Sequence, residues 1–298
     1  MSIRTYLVFF IVTITALLLS TGCSGNGGGM EANPRLALSF TGLPELGSGY
    51  VYEGWLIIGG APFSTGRFGV DAQGVPSASN FDVSGIAGAM DAAKFVLTIE
   101  PAVGDDPAPA NTHILAGDIT AGTANLSVGD GAALGTNFLS AAGQFILNTP
   151  STASTDADFS QGIWWLDPMA GPGATLTLPQ LPAGWQYEGW AVVDGTPLST
   201  GKFTMPNAAD DDGAGPTAGP DNFPAFPGQD FINPAVDLHG GAAVISVEPM
   251  PDNDAAPFAL KPLVGDIPMG LAIGTLSGMD NNAAATNPTG AAVLSMAN

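Results

Sequence analysis

The sequence predicts an all-β protein made of two tandem antiparallel β-sandwich domains of the immunoglobulin-like type. The 298 residues include 41 Gly and 25 Pro, which separate short apolar runs, a pattern typical of strands joined by turns. Phe95, Leu97 and Ile99 occupy every second position of one such run, as expected for a strand with one buried face. A long internal repeat predicts that one unit of about seven strands occurs twice.

The first 22 residues have the pattern of an export signal. Arg4 precedes the uncharged apolar segment Tyr6–Leu19, which is shorter than a membrane-spanning helix of about 20 residues and suits the core of a signal peptide. The segment runs into L-S-T-G-C, which resembles the lipobox of bacterial lipoproteins, and Cys23 is the only Cys in the sequence. We therefore predict cleavage before Cys23 and a lipid on its sulfur atom. A secretory signal followed by an incidental Cys is the alternative.

This leader predicts a place in the cell envelope. The lipid on Cys23 would anchor the chain to a membrane, with the folded part facing the periplasm or the exterior. Ser24 follows the Cys, whereas lipoproteins with Asp at that position tend to stay in the inner membrane, so the outer membrane is favoured if the cell has one. The predicted organisation is a signal peptide at 1–22, a flexible tether at 23–33, a first domain at 34–150, a linker at 151–160 and a second domain at 161–298.

The internal repeat consists of two hairpin-like segments and the strands that follow them. Val51–Phe68 reads V-Y-E-G-W-L-I-I-G-G-A-P-F-S-T-G-R-F, and Gln186–Phe203 reads Q-Y-E-G-W-A-V-V-D-G-T-P-L-S-T-G-K-F, 135 residues later. A run, a turn and a second run predict a β-hairpin in each copy. The later segments K-F-V-L-T-I-E-P and A-V-I-S-V-E-P correspond at an offset of 148. The shared order and spacing predict a tandem duplication.

The hairpin register predicts one ion pair in each copy. If the turn is centred on the G-G-A-P stretch, Glu53 lies opposite Arg67, and the same count places Glu188 opposite Lys202. The whole sequence contains six Lys and Arg residues, so the recurrence of a cation at this place favours a cross-strand pair. Such a pair contributes about 0.2–1 kcal/mol and mainly fixes the register.

A Trp follows each of these glutamates two residues later. Trp55 and Trp190 therefore project from the same face of the strand as the Glu. We expect both indole rings to pack into the sheet, where they supply a large buried area. A ligand-binding patch of Glu and Trp is the other interpretation of the repeated Y-E-G-W.

Taken together, these motifs resemble a known family. A strand of Y-x-x-W type, a G-x-P-x-S-x-G-x-F hairpin and a later strand ending in E-P are similar to the C-terminal domain of anti-sigma-K factors, over residues 36–120 and again over 174–268. The resemblance implies the extracytoplasmic β-domain of a bacterial regulator. Members of that family also carry a cytoplasmic helical domain and a membrane helix. Because we interpret everything before Cys23 as leader, we do not expect anti-sigma activity.

Composition and motifs weigh against two classes of function. The net charge of −21 repels phosphate backbones, so we expect no nucleic-acid partner. Neither His113 nor His239 recurs in the other copy, and the sequence has no G-x-S-x-G, H-E-x-x-H or phosphate-loop motif. We therefore expect that the protein is not an enzyme, although an envelope hydrolase that joins Glu and His in a cleft stays an alternative.

Two loops are rich in carboxylates, which calcium prefers as ligands. The first, D-D-D-G-A-G-P, lacks the spacing of an EF-hand and has no counterpart in the first copy. We expect no cofactor, and calcium in these loops is the alternative to a solvated acidic surface. The candidate ligands are Asp210, Asp211, Asp212, Asp252 and Asp254.

The function predicted from these observations is that of a lipid-anchored envelope protein with two non-catalytic β modules for binding or scaffolding. Its partners would be the membrane, through Cys23, and an envelope protein or ligand that the sequence does not identify. The alternative is a regulatory or sensor protein related to anti-sigma factors, which would act through a separate membrane partner.

Overall fold

The computed structural model describes residues 33–153, 157–169, 171–252 and 254–297. The predicted signal peptide, Cys23 and nearly all of the predicted tether lie outside these ranges. Within them, no helix has the length and apolar character needed to cross a membrane.

Nearly all regular structure in the described residues is β-strand. The first half of the chain contributes β1 Asn33–Thr41, β2 Tyr50–Ile58, β3 Ala61–Phe68, β4 Asn80–Asp82, β5 Lys94–Pro101, β6 His113–Asp118, β7 Thr123–Ser127 and β8 Gly143–Leu147. The second half contributes β9 Gly162–Trp164, β10 Leu166–Asp167, β11 Gly173–Ala174, β12 Trp185–Val193, β13 Thr196–Phe203, β14 Gly228–Asp230, β15 Ala242–Pro249, β16 Leu263–Asp266, β17 Ser277–Asn281 and β18 Thr289–Ala297. Short helical turns lie at Ala89–Asp91, Phe159–Gln161 and Ala283–Thr286, the last of which is α1.

The strands form two large antiparallel sheets and one small one. The first sheet has the order β3-β2-β5-β6-β7-β18-β1-β4, and the second has the order β13-β12-β15-β16-β17-β8-β9-β14. Strands β10 and β11 pair separately. These sheets confirm the predicted all-β, antiparallel class.

The immunoglobulin-like sandwich is not confirmed, because the strands form two continuous sheets of eight strands each. In both sheets the two edge strands come into contact, β3 with β4 and β13 with β14, so each sheet curls round on itself. The hairpin pairing shifts register between Gly54 and Trp55, and again between Glu188 and Trp190. Such bulges bend a strand and increase its twist, which helps a single sheet to cover its own core.

The two sheets exchange strands. Strand β8 comes from the first half but lies between β17 and β9 in the second sheet, while β18, at the end of the chain, lies between β7 and β1 in the first. The predicted boundaries at 34–150 and 161–298 therefore do not coincide with the sheets. The sequence could not show this, since the pattern of a strand indicates which face is buried and not which sheet it joins. As a result, the described residues form one compact unit with a hydrophobic core shared by both halves.

The two repeated hairpins close with turns that suit their twist. Gly59 and Gly60 have φ values of 58° and 85°, and Asp194 and Gly195 have φ values of 50° and 78°. Two consecutive positive φ angles define the type I′ turn that joins strands most readily, and it favours Gly or Asp-Gly. The G-G-A-P and D-G-T-P stretches are therefore the local cause of the hairpins.

Three letters of Y-E-G-W have structural roles that recur in both copies. Tyr52 is buried and donates a hydrogen bond of 2.8 Å to the carbonyl oxygen of Pro44, while the Trp55 indole N–H donates to Thr98 Oγ1 at 2.9 Å. A Cβ atom on Gly54 would lie 2.8 Å from the ring of Phe95, so only Gly leaves room for that ring. The equivalent contacts in the second copy are Tyr187 to Pro179, Trp190 to Ser246 and Gly189 against the ring of Trp165.

Candidate functional site

The glutamate of the first Y-E-G-W belongs to a carboxylate cluster bridged by an arginine. Glu53 on β2 lies opposite Arg67 on β3, as the hairpin count predicted, and Arg67 Nε is 3.4 Å from Glu53 Oε2. The same guanidinium places Nη2 3.5 Å from Asp105 Oδ2 and also donates to the carbonyl oxygen of Pro101. The hydroxyl of Ser64 donates to Glu53 Oε1. One arginine therefore holds two carboxylates and the end of the E-P strand together.

Glu100, at the end of β5, completes this first cluster. Its side chain is buried, and its Oε1 accepts hydrogen bonds from the Thr98 hydroxyl and from the Ala110 N–H, the latter at 2.9 Å. Its other oxygen, Oε2, has no hydrogen-bond partner. Loss of hydration through burial raises the pKa of Glu100, against the opposing effect of its hydrogen bonds.

The second copy keeps the register but not the predicted ion pair. Glu188 on β12 lies opposite Lys202 on β13, yet the Lys202 ammonium is directed to Asp252, at 3.3 Å from Oδ2 and 3.2 Å from the carbonyl oxygen. Within the described residues, Lys202 forms no ion pair with Glu188 inside 4 Å. The physical reason is that an ammonium is a compact point charge, whereas a planar guanidinium can span two carboxylates. Glu188 Oε1 instead accepts from the hydroxyl of Ser199.

Three carboxylates converge beside this lysine. Glu188, Glu248 and Asp252 each offer an oxygen within 4.8 Å of the other two. In the part of the chain that the structure describes, this is the one group of three or more acidic, His or Cys side chains that meets so closely. Glu248 Oε1 accepts from the Ser246 hydroxyl and from the Phe258 N–H at 2.9 Å. The cluster therefore gathers carboxylates from β12, the end of β15 and the loop after it.

Burial controls the electrostatics of this second cluster. Loss of hydration raises the pKa of Glu188 to about 8, although the Ser199 hydrogen bond and the Lys202 charge oppose the shift. The same cause raises the pKa of Glu248 to about 7. Both side chains are almost fully buried, with 2% and 1% of their surface exposed. At neutral pH, the folded protein therefore tends to keep a proton on this cluster.

A cavity of about 760 Å³ lies next to the cluster, between the two halves of the repeat. Glu248 and Asp252 form part of its wall, so the cluster and the cavity are continuous. Among the described residues of the wall, Lys261 is the one cation, and burial lowers its pKa. The apolar part of the wall combines Leu46, Tyr50 and Ile99 of the first half with Met250 and Phe258 of the second.

The calcium candidates predicted from the sequence do not form one site. Asp210 accepts hydrogen bonds from the Gly213 and Gly228 N–H groups, at 2.8 and 3.0 Å, and therefore closes its own loop. Burial raises the pKa of Asp210 to about 7. The remaining candidates make these contacts: Asp211 accepts from the Lys202 N–H, Asp212 lies beside Asp210 and Asp211, Asp254 accepts from the Ala256 N–H, and Asp252 belongs to the convergent cluster.

Glu188 and Glu248 were not among the metal ligands expected from the sequence. Their convergence follows from the pairing of β12 with β15, in which Glu188 lies opposite Ser246 and Gln186 lies opposite Glu248. Diagonal neighbours on one face of adjacent strands are about 7–8 Å apart and within reach of long side chains. Aligning Y-E-G-W with the E-P strand would have revealed this pair.

The two histidines make local contacts. His113 Nδ1 lies 2.8 Å from the carbonyl oxygen of Ala132. His239 Nδ1 lies 3.1 Å from the carboxylate of Asp237, and its Nε2 lies 3.2 Å from the carbonyl oxygen of Leu271. The structure does not bring either histidine into hydrogen-bond contact with the carboxylate clusters of the described residues.

Comparison with known proteins adds one finding to this geometry. The family model described as anti-sigma-K factor rskA, C-terminal, matches residues 24–114. The first copy of the repeat resembles the C-terminal domain of an anti-sigma factor. This match confirms the resemblance expected for the first copy from the Y-x-x-W, hairpin and E-P motifs, whereas the resemblance expected over residues 174–268 lies outside the matched range. Neither the curated proteins nor the solved structures gave a match.

Proposed function

We propose that the protein is a lipid-anchored cell-envelope protein, attached to a membrane through Cys23, whose two β modules bind a ligand or partner without catalysis. The observation that carries the binding role is the cavity between the two halves. Its volume of about 760 Å³ lies in the range of about 300–1,000 Å³ found for small-molecule sites. Its wall combines apolar side chains with a few carboxylates, as such sites usually do.

The exchange of β8 and β18 supports a preformed cavity. Each sheet contains a central strand that belongs to the other half of the chain, so separating the halves would break complete strand pairings. A cavity between interlocked sheets keeps its shape before a ligand arrives. Preformed sites avoid part of the entropy lost when a binding surface becomes ordered.

The anchor rests on the leader and on where the fold begins. Cys23 follows a signal-peptide pattern, and strand β1 begins at Asn33. The nine residues between them are rich in Gly, and a linker of that length and composition would span about 17 Å. This length would place the first sheet close to the membrane surface.

Labelling with a radioactive fatty acid in bacterial cells tests the anchor. The expected result is label on the wild-type protein and on Ser24→Ala, and no label on Cys23→Ala, which should also leave the membrane fraction. Label that persists unchanged in Cys23→Ala would contradict the proposal.

A second candidate function is a regulatory or sensor role through a separate membrane-bound signalling protein. The match of residues 24–114 to an anti-sigma-K factor C-terminal domain favours this candidate. Crosslinking in cells followed by purification from solubilised membranes should recover such a partner. Recovery of no membrane-spanning partner would count against it.

A further inference from the structure

We propose that Glu188, Glu248 and Asp252 form a binding site for a divalent cation of the calcium type at the edge of the cavity between the halves. This inference goes beyond the proposed binding and anchoring roles, because the site needs neither the lipid nor a partner protein. It also differs from the loop sites considered in the sequence, since only Asp252 is common to both.

The spacing of the three carboxylates fits a single ion. Calcium binds oxygen ligands at 2.3–2.6 Å, so two of its ligands lie at most about 5.2 Å apart. The three carboxylate oxygens lie within 4.8 Å of one another. One ion can therefore contact all three side chains with little change in their positions.

The cluster contains buried oxygens without hydrogen-bond partners. Glu188 is 2% exposed, and its Oε2 accepts no hydrogen bond from any described residue. Asp252 Oδ2 is also buried and accepts none from the described residues, although the Lys202 ammonium lies 3.3 Å away. A buried acceptor without a partner is costly, and a bound cation would satisfy both oxygens at once.

The lysine leaves room for this cation. Lys202 pairs only with Asp252 among the three carboxylates, whereas Arg67 in the first half contacts both Glu53 and Asp105. A fork-shaped guanidinium fills the space between two carboxylates, and an ammonium directed to one of them does not. The two copies therefore differ in the one feature that decides whether an ion can enter.

Charge and access favour the same conclusion. Once all three carboxylates are ionised, they and the Lys202 ammonium sum to −2, which one divalent cation neutralises. Glu248 and Asp252 line the cavity, so an ion can enter together with the water molecules that complete its shell. An all-oxygen, irregular set of ligands suits calcium, which accepts six to eight oxygens, better than magnesium, which demands a regular octahedron.

Isothermal titration calorimetry of the purified full-length protein with calcium chloride at pH 8 tests the proposal. We expect one calcium ion per chain, with a dissociation constant of about 1 mM or lower. Glu188→Gln should weaken binding at least tenfold, and Lys202→Arg should also weaken it, because a guanidinium would fill the site as Arg67 does. The matched control, Glu53→Gln in the first copy, should bind calcium like the wild type.

Three results would overturn the proposal. They are no binding up to about 10 mM calcium, binding that persists in both Glu188→Gln and Lys202→Arg, and equal loss of binding in Glu53→Gln. Circular dichroism on each variant separates loss of the site from loss of the fold, and Lys202→Arg provides the test if Glu188→Gln does not fold. None of these results affects the Cys23 labelling experiment.

Discussion

The two carboxylate clusters share one backbone arrangement and differ in how their charges are satisfied. In both, a Glu on the first strand of the hairpin lies opposite a cation on the second strand, and a Glu at the end of the E-P strand lies nearby. Arg67 bridges the first cluster, while Lys202 is directed to a single Asp of the second. Strand register therefore fixes which residues are neighbours, and the shape of the cationic group decides which of them it contacts.

A second equivalent position shows the same divergence. Asp82 on β4 is exposed and lies 3.5 Å from the Arg35 guanidinium. Asp230 occupies the corresponding place on β14, is completely buried, and accepts hydrogen bonds from Ser151 and from the Trp164 indole N–H. At equivalent strand positions, one half therefore has a surface ion pair and the other has a buried polar network.

The largest loss of stability is expected from a substitution in one of the exchanged strands. Ala292 on β18 is buried and pairs with Leu38 on one side and with Ala124 on the other. In Ala292→Pro, the ring removes a backbone donor from a central strand, so the free energy of unfolding should fall by about 3 kcal/mol or more. Urea unfolding followed by circular dichroism measures the change. Val293→Thr, at a partly exposed site on the same strand, should change stability little, and equal losses in both variants would contradict the assigned pairing.

Replacing the two equivalent aspartates should give very different losses. Asp230→Ala leaves the Trp164 N–H and the Ser151 groups without a buried acceptor, so the expected loss is about 3 kcal/mol. Asp82→Ala removes an exposed ion pair with Arg35 and one hydrogen bond from the Ser84 N–H, and should cost much less. Thermal unfolding of both variants checks the difference. Similar melting temperatures for the two variants would contradict the buried hydrogen-bond network assigned to Asp230.

The second cluster should make stability depend on pH. The folded protein holds protons on Glu188 up to about pH 8 and on Glu248 up to about pH 7, while the unfolded chain releases them near the usual glutamate pKa of about 4.3. Over that interval the folded state binds more protons, so the free energy of unfolding falls as the pH rises. With calcium chelated, the free energy of unfolding should fall by at least about 2 kcal/mol between pH 5 and pH 8.

Denaturant unfolding at several pH values measures this slope. The double variant Glu188→Gln/Glu248→Gln should flatten it, because both titrating groups are gone. If the double variant keeps the same dependence of unfolding free energy on pH, other titratable groups of this acidic protein must cause it.

The smallest expected effect concerns the bridging arginine. Arg67 is about one-third exposed, so Arg67→Lys should lower the free energy of unfolding by only about 0.5 kcal/mol. Chemical denaturation at low salt measures it, with Arg35→Lys as the control at a more exposed pair. A loss of several kcal/mol would mean that the first cluster depends on its arginine far more than a surface ion pair does.

The parts of the structure that were predictable are the local ones. The G-G-A-P and D-G-T-P turns determine the hairpins, so the partners of Glu53 and Glu188 across each hairpin could be counted from the sequence. The class of fold followed from alternation and turn residues. The equivalent places of the repeated strands in the two sheets agree with the two constant offsets in the sequence.

The remaining features depend on contacts between distant segments. Strand β9 takes the place in the second sheet that β1 takes in the first, although the G-I-W sequence of β9 does not resemble that of β1. Which sheet β8 and β18 join depends on contacts with distant strands. No local sequence pattern indicates those contacts. The ion-pair partner of Lys202 depends on the loop that carries Asp252. The position of that loop is set by the folded chain and could not be counted from the hairpin.

The most direct test of the divergence between the halves is a crystal structure of the protein grown with calcium, with anomalous diffraction data. The result expected is one calcium peak between the carboxylates of Glu188, Glu248 and Asp252, and none at Glu53, with Arg67 still bridging that first cluster. No peak at the second cluster, or equal peaks at both, would contradict the account.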